Sequence, residues 1–422
     1  MVLGLIIYVP NQLHFPNDLG LKGLNVFNVL FLLALFVTWL RSEKSSSPTP
    51  LKGRFIFFFL ALATAFFIAQ MRGDGDFIDD LTYLKTSIFY ILLYFIFYHA
   101  AQDVRTIRTL FVMVLFVAFV AGLEAIKEGL DYGIGHYKET HRASGPFGFD
   151  YMQANRAGVF YAIFLPLFLT VFLFYRSRRI VRLLALGGTI VLTAAIFFTY
   201  SRQSYFIAAF ILLYLLFRRG ILLPLLGVVL LLNYSLWVPD SAVERVEETK
   251  KTDQWGQEQL DESTESRFVI WEGALQIIQD NPWGIGLNRF KQEIKNYTPY
   301  KQGKDAHNQY VLIATEAGVQ GLLAYLLLLQ GMYSMGRSLA RSAQNEEEKI
   351  LGVGYISAFI SMVLGGMYGS PLFFGEIMGN FWALTALVAR YQSLVAEGKV
   401  AREKTIKETK YKGKYAKIAS PA

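Results

Sequence analysis

The chain has 422 residues, 54% of them hydrophobic and 15% aromatic, and it contains no cysteine. A disulfide framework, a thiolate metal site and a cysteine nucleophile are therefore excluded. The net charge of +8 is no signal for nucleic acid, because the basic residues collect in short connections between long apolar runs, where they report topology.

Each apolar run is long enough to cross a hydrocarbon core of about 30 Å. Lipid obliges every crossing segment to satisfy its own backbone. The fold class expected is an all-α polytopic membrane protein of about 12 transmembrane helices. Residues 1–9 are apolar but short, lack the basic flank and cleavage site of a signal peptide, and read as the outer part of a first short helix. Further spans are expected at 24–40, 54–71, 83–99, 107–126, 157–175, 181–200, 203–217, 220–238, 308–331, 350–370 and 377–394. The chain thus divides into N-terminal transmembrane helices (1–238, with an external loop at 127–156), a large periplasmic loop (239–306), C-terminal transmembrane helices (307–394) and a basic cytoplasmic tail (395–422). The tail is expected to be mobile and to lie on anionic headgroups.

The basic connections hold Arg41, Lys44, Lys52 and Arg54; Arg105 and Arg108; Arg176, Arg178, Arg179 and Arg182; Arg218 and Arg219; Arg337, Arg341 and Lys349. They alternate with acidic or mixed segments, such as Asp74, Asp76, Asp79 and Asp80 beside Arg72. The positive-inside rule puts the basic set and both termini in the cytoplasm.

The non-basic polar residues then gather on the outer face. The turn Ser201-Arg202-Gln203 lies between two apolar runs. An arginine at mid-bilayer costs roughly 2.5–3.5 kcal/mol, so one held at the boundary snorkels or has a partner. As a functional residue, Arg202 would bring a forked guanidinium to a phosphate in the membrane plane. Segment 239–306 is too long for a plain connection. Its first part is acidic; then Ile270, Ala274, Ile277 and Ile278 recur at helical spacing, predicting an amphipathic helix. Arg267 and Trp271 share one face of it, and Asn281-Pro282-Trp283-Gly284-Ile285-Gly286 ends it. The segment then turns basic through Arg289, Lys291, Lys295, Lys301 and Lys304 against Glu293 and Asp305, which reads either as a solvated loop or as a receiver for an anion.

His307 closes that segment, at the lip of the next apolar run, in a chain with five histidines. An imidazole there suits a general base or an orienting group. Glu316, farther into the same run, reads as a structural group bonding neighbouring helices or a buried arginine. Asp74-Gly75-Asp76 has the look of a cation-binding pair but is too short a pattern to carry that reading. His136 and His141 with Asp131 and Glu139 have no metal-specific spacing.

His307-Asn308, nine residues, Gly318, two residues and Gly321 together resemble the signature of the bacterial O-antigen ligase and O-antigen polymerase superfamily. Arg142-Ala143-Ser144-Gly145-Pro146-Phe147-Gly148 followed by Asn155 looks like its earlier external motif, and Thr199-Tyr200-Ser201-Arg202 like its serine-arginine turn. The resemblance covers roughly residues 20–394. It implies a GT-C type membrane glycosyltransferase that moves glycan from undecaprenyl diphosphate to an acceptor hydroxyl at the outer leaflet of the inner membrane, inverting the anomeric centre without metal or other cofactor. His307, Arg202 and Arg267 would be catalytic, and Arg142, Asn155, Arg289, Asn308 and Trp271 would bind substrate. The family often has Pro-Asn where this chain has Asp150-Tyr151-Met152-Gln153-Ala154-Asn155, which weakens the contact expected from that loop. Ligation of O-antigen to lipid A-core is the expected activity. Polymerisation of O-antigen or exopolysaccharide on a growing glycan is the alternative, and the other partners are membrane lipids. A transporter would need polar residues at mid-membrane on several helices, and Glu316 is the main one.

Overall fold

A computed structural model describes residues 1–16, 19, 25–41, 48–133, 137–148, 151–220, 222–236, 238–247, 250–252, 258–260, 262–300 and 302–416. The apolar runs fold as helices, in chain order α1 (Val2–Tyr8), α2 (Val26–Arg41), α3 (Lys52–Arg72), α4 (Phe77–Ala100), α5 (Val104–Tyr132), α6 (Ala154–Phe174), α7 (Arg179–Phe198), α8 (Arg202–Arg219) and α9 (Leu222–Leu232). The large loop supplies α10 (Asp240–Glu247), α11 (Glu262–Asp280) and α12 (Phe290–Glu293), and the chain ends with α13 (Gln309–Glu316), α14 (Gly318–Ser342), α15 (Glu346–Gly365) and α16 (Gly375–Ala416). Among the described residues the only strands are β1 (Lys250–Thr252) and β2 (Glu258–Leu260), paired antiparallel with Lys250 opposite Leu260.

Among the described residues, six segments are long and apolar enough to cross a membrane: Lys52–Arg72, Phe77–Ala100, Val104–Tyr132, Tyr151–Phe174, Arg179–Phe198 and Glu346–Gly365. This is the architecture of a helical membrane protein. The other expected spans fall on helices that are shorter, more polar or broken, so the count of about twelve is not reached on those criteria. Among the described residues of the run at 220–238, the α-helix is the 11 residues of α9, about 16 Å long. The last helix, α16, continues to Ala416, past the start of the expected tail at 395.

α6 forms the axis. In Tyr151–Phe174, 89% of the apolar window is buried within the protein, as expected of a helix that is hydrophobic on all sides. It packs on α7, α8 and α15. At Gly158 a Cβ would stand 2.4 Å from Ser204 Oγ, so α8 approaches α6 as closely as a small residue allows. α1 docks into the same core through Leu5 and Ile6, and Asn380 Nδ2 donates to the carbonyl of Ile6 at 3.0 Å.

The two ends of the bundle differ in chemistry. One carries basic connections held by acids and carbonyls: Arg108 Nη2 lies 2.5 Å from Glu347, the amides of Arg176 and Ser177 donate to Glu346, and Arg390 Nε donates to the carbonyl of Ala101 at 3.1 Å. The opposite end carries the loop 127–156, the Ser201-Arg202 turn and the large loop.

The run expected as one span at 308–331 is two helices. The chain breaks at Ala317, and Gly318 takes φ +71°. Residues 282–287 fill the break, with the amide of Ile285 donating to the carbonyl of Thr315 (3.0 Å), Gly286 to Glu316 (3.1 Å) and Val319 to Pro282 (2.9 Å). Carbonyls freed by the break are thus satisfied by protein, as burial requires. On its other side the segment lies on α3: Leu287 donates to the carbonyl of Ala65 at 2.9 Å. Gly286 has φ +100°, and a Cβ there would stand 2.7 Å from the backbone of Ala69.

Gly286→Ala should therefore lower stability by roughly 1–3 kcal/mol and reduce folded yield. Gly187→Ala, in open space on α7, should be neutral or slightly stabilising. Thermal unfolding of the purified protein in detergent micelles checks both.

Candidate functional site

Two helix starts dominate the polar end, and they are built alike. Tyr200 and His307 both adopt left-handed backbone, with φ +47° and +46°, a conformation that costs energy in a bulky residue and clusters at functional turns. Each is followed by the N-cap of a helix, Ser201 for α8 and Asn308 for α13. Asn308 Oδ1 caps its helix by accepting from the amides of Tyr310 (3.0 Å) and Val311 (3.2 Å). Ser201 makes no side-chain cap, and Arg202 occupies the first helical position.

Both starts are anchored on the end of α15. Gln203 Nε2 donates to the carbonyl of Gly365 at 2.7 Å, and the amide of Gln309 donates to that of Gly366 at 2.8 Å. Consecutive α-carbons are about 3.8 Å apart, so the arginine turn and the histidine lip share one mount. The Gln309 side chain extends the tie: its Oε1 accepts from the amide of Leu372 at 2.7 Å, and its amide group bonds the Tyr325 hydroxyl.

The external motif braces the arginine turn from behind. Arg142 is buried; its Nε donates to the carbonyl of Thr199 (3.0 Å), Nη1 to Glu139 (2.7 Å) and Nη2 to Asn155 Oδ1 (2.5 Å). The two residues expected at substrate, Arg142 and Asn155, thus bond each other and hold the residue three before Arg202. Glu139 also takes Arg245 at 3.3 Å. Burial pushes the Glu139 carboxyl up, but the Tyr137 hydroxyl and Arg142 hold it below its ordinary value. The Arg245 guanidinium lies 4.6 Å over Tyr137, whose ring meets Tyr200 at 5.2 Å. Arg245, Tyr137, Gln203 and Gln309 carry no local signal in the sequence beyond being polar or aromatic at the edge of apolar runs.

The histidine lip is braced by the large loop. Ile270, Ala274 and Ile277 of α11 are buried with Ile285, Phe290, Ile294 and Ala306 in a small core of their own, which matches the predicted amphipathic period. Trp271 packs against that core and donates from Nε1 to the carbonyl of Ala306 at 2.8 Å. It thereby fixes the residue before His307. Arg267, one turn earlier on α11, is near enough to act on the imidazole. The His307 ring is open to water yet flanked by protein, and this desolvation followed by the charge of Arg267 lowers its pKa, with Asp305 opposing.

Arg289 stands elsewhere. It is expected on the phosphate, but it is 2% exposed and its fork is spent on carboxylates. Nη1 and Nη2 bind the two oxygens of Asp80 at 2.7 and 2.5 Å, and Nε binds Asp74 at 2.6 Å. A guanidinium so engaged is a bolt between loop and bundle. Asp74, the first acid of the suspected cation pair, also accepts from Arg72 at 3.1 Å, and Asp76 caps α4. Glu316 is structural as expected, though its partner is a backbone group: it accepts from the amide of Phe290 at 3.1 Å. His136 of the other suspected metal cluster lies outside the described residues, and among those described no group of three His, Asp or Glu side chains could hold an ion.

The described residues thus form a helical bundle that carries Arg142, Arg202 and Arg267 with His307 at its polar end. Residues 147–326 match the O-antigen ligase family, so over that stretch the chain is similar to the O-antigen ligases and polymerases. The match spans Arg202, Arg267, His307, Gly318 and Gly321, and begins just after Arg142. No curated protein matches the chain.

Three outcomes are expected. Because His307 titrates below the ordinary value of about 6.5, its neutral, proton-accepting form prevails at pH 7 and above. Transfer should be flat from pH 7 to 8 and fall as pH drops below about 6.5, and Arg267→Gln should raise the His307 titration midpoint, read by NMR of labelled histidine against His307→Gln. Separately, Arg289→Ala leaves the buried carboxylate of Asp80 without its cation and should cost roughly 3–5 kcal/mol, seen in thermal unfolding.

Proposed function

We propose that this protein transfers glycan from undecaprenyl diphosphate to an acceptor hydroxyl at the periplasmic face of the inner membrane, and that its reaction is ligation of O-antigen to lipid A-core. The observation that carries this reading is the shared mount: the Arg202 turn and the His307 lip hang from consecutive carbonyls, Gly365 and Gly366. A reaction needing both an anion site and a base is served by that pairing, and the family match supports the choice of glycosyl transfer.

In this mechanism the acceptor oxygen attacks the sugar C1 from the side opposite the diphosphate. The bond from C1 to the diphosphate oxygen breaks, the leaving group keeps the electron pair, and the acceptor proton passes to His307. Arg202, at the start of α8, meets the growing negative charge with its guanidinium and with the positive end of the helix dipole. Arg267 adds charge from α11 and keeps the imidazole neutral beforehand. Diphosphate is already a weak base, so charge compensation in place of metal suffices, and inversion at C1 follows from the direction of attack. The basic end of the bundle then faces the cytoplasm. Arg142 and Asn155 serve this chemistry by holding Thr199, and Asn308 by starting α13.

Deletion of the gene distinguishes ligase from polymerase. Long glycan left on undecaprenyl diphosphate is the expected result. Lipopolysaccharide capped by one repeat would assign polymerisation instead, and unchanged glycans would remove both. Complementation with His307→Ala should lower turnover by about 10²–10⁴-fold; a small loss would make His307 an orienting group. Transfer left intact by both Arg202→Ala and Arg267→Ala would end the diphosphate assignment.

A further inference from the structure

Beside His307 lies an aromatic surface that the chemistry above does not use. Trp271 meets Tyr368 with ring centroids 6.3 Å apart and planes tilted by 48°, and Phe268 stands edge-on to Trp271 at 5.7 Å. Tyr368 is 42% exposed and Phe268 55% exposed. The two sides of this ledge come from opposite flanks of the histidine lip. Trp271 is tied to the carbonyl of Ala306, immediately before His307. Tyr368 lies two residues past Gly366, whose carbonyl holds Gln309, two residues past His307.

Exposed aromatics at a membrane boundary commonly anchor in headgroups. Here the indole N–H, the group that would bond a headgroup, is given to the protein. That bond fixes the ring relative to the imidazole instead of relative to lipid. Trp271 also shares a helix face with Arg267, whose charge acts on the imidazole of His307.

A pyranose ring presents an apolar C–H face and a rim of hydroxyls. An aromatic ring such as Trp271 or Tyr368 suits that face, the Tyr368 hydroxyl can bond a rim hydroxyl, and Trp271 holds the residue that precedes His307. We infer that Trp271 and Tyr368 form the binding subsite for the acceptor sugar, stacking on its face so that one rim hydroxyl points at His307. This rests on the transfer reading above, and it makes Tyr368 a specificity-determining residue on the acceptor side alone.

The test uses the full-length protein in lipid nanodiscs, with core oligosaccharide freed from lipid A as the probe. Binding is read as quenching of tryptophan fluorescence, with Trp271→Phe as the reference for the other tryptophans, and transfer as separate KM values for donor and acceptor. Tyr368→Ala should weaken oligosaccharide binding and raise the acceptor KM by about tenfold with donor KM unchanged, whereas Tyr368→Trp, which keeps the flat face, should retain binding. An unchanged acceptor KM in Tyr368→Ala, or an equal rise in both KM values, would overturn the subsite and leave Tyr368 as a membrane anchor. If the wild-type protein transfers no glycan, the transfer reading fails by itself: saturable quenching by oligosaccharide would still uphold the ledge, and its absence would overturn it.

Discussion

A helix that stops where its end is buried must hand its last carbonyls to some other donor, because no water is at hand to take them. The end of α15 does this with two glutamines from distant parts of the chain: Gln203 takes Gly365 and the amide of Gln309 takes Gly366. The same demand shapes the break between α13 and α14, where residues 282–287 supply the donors. Unsatisfied backbone at helix ends thus brings together the arginine turn, the histidine lip and the large loop. The glycines at 284, 286 and 318 follow from it, since donors reach carbonyls only where backbones touch.

A second principle is that charge at this end is used in two ways. Arg142 and Arg289 are buried and hold carboxylates and carbonyls; Arg202 and Arg267 stand at helix positions around the lip. Buried arginines of the first kind fix geometry, and removing one partner leaves the other uncompensated. The settings differ although all four lie in stretches that look alike as sequence.

That similarity explains what the sequence could and could not tell. Local periodicity suffices for α11, because Ile270, Ala274 and Ile277 face a core at every turn. The apolar runs are legible as helices, and the His307, Asn308, Gly318 and Gly321 spacing points to the family. The fate of Arg289 was not legible: its partners, Asp74 and Asp80, lie more than two hundred residues away, and a run of nearby lysines made it look like part of an anion receiver. The break at Gly318 was hidden for a similar reason, since an apolar run reads the same whether continuous or interrupted when the interrupting donors come from another segment. Tyr368 belongs to no motif; it matters only because the chain returns beside Trp271.

The wedge of residues 282–287 has one further consequence. It is bonded to α13 and α14 on one side and to α3 on the other, and Arg289 bolts its end to Asp80 of α4. The conformational entropy of ordering this part of the loop is therefore spent when the protein folds, well before any substrate arrives. A long, flexible lipid-linked glycan loses much freedom on binding, and a surface already rigid adds little to that loss.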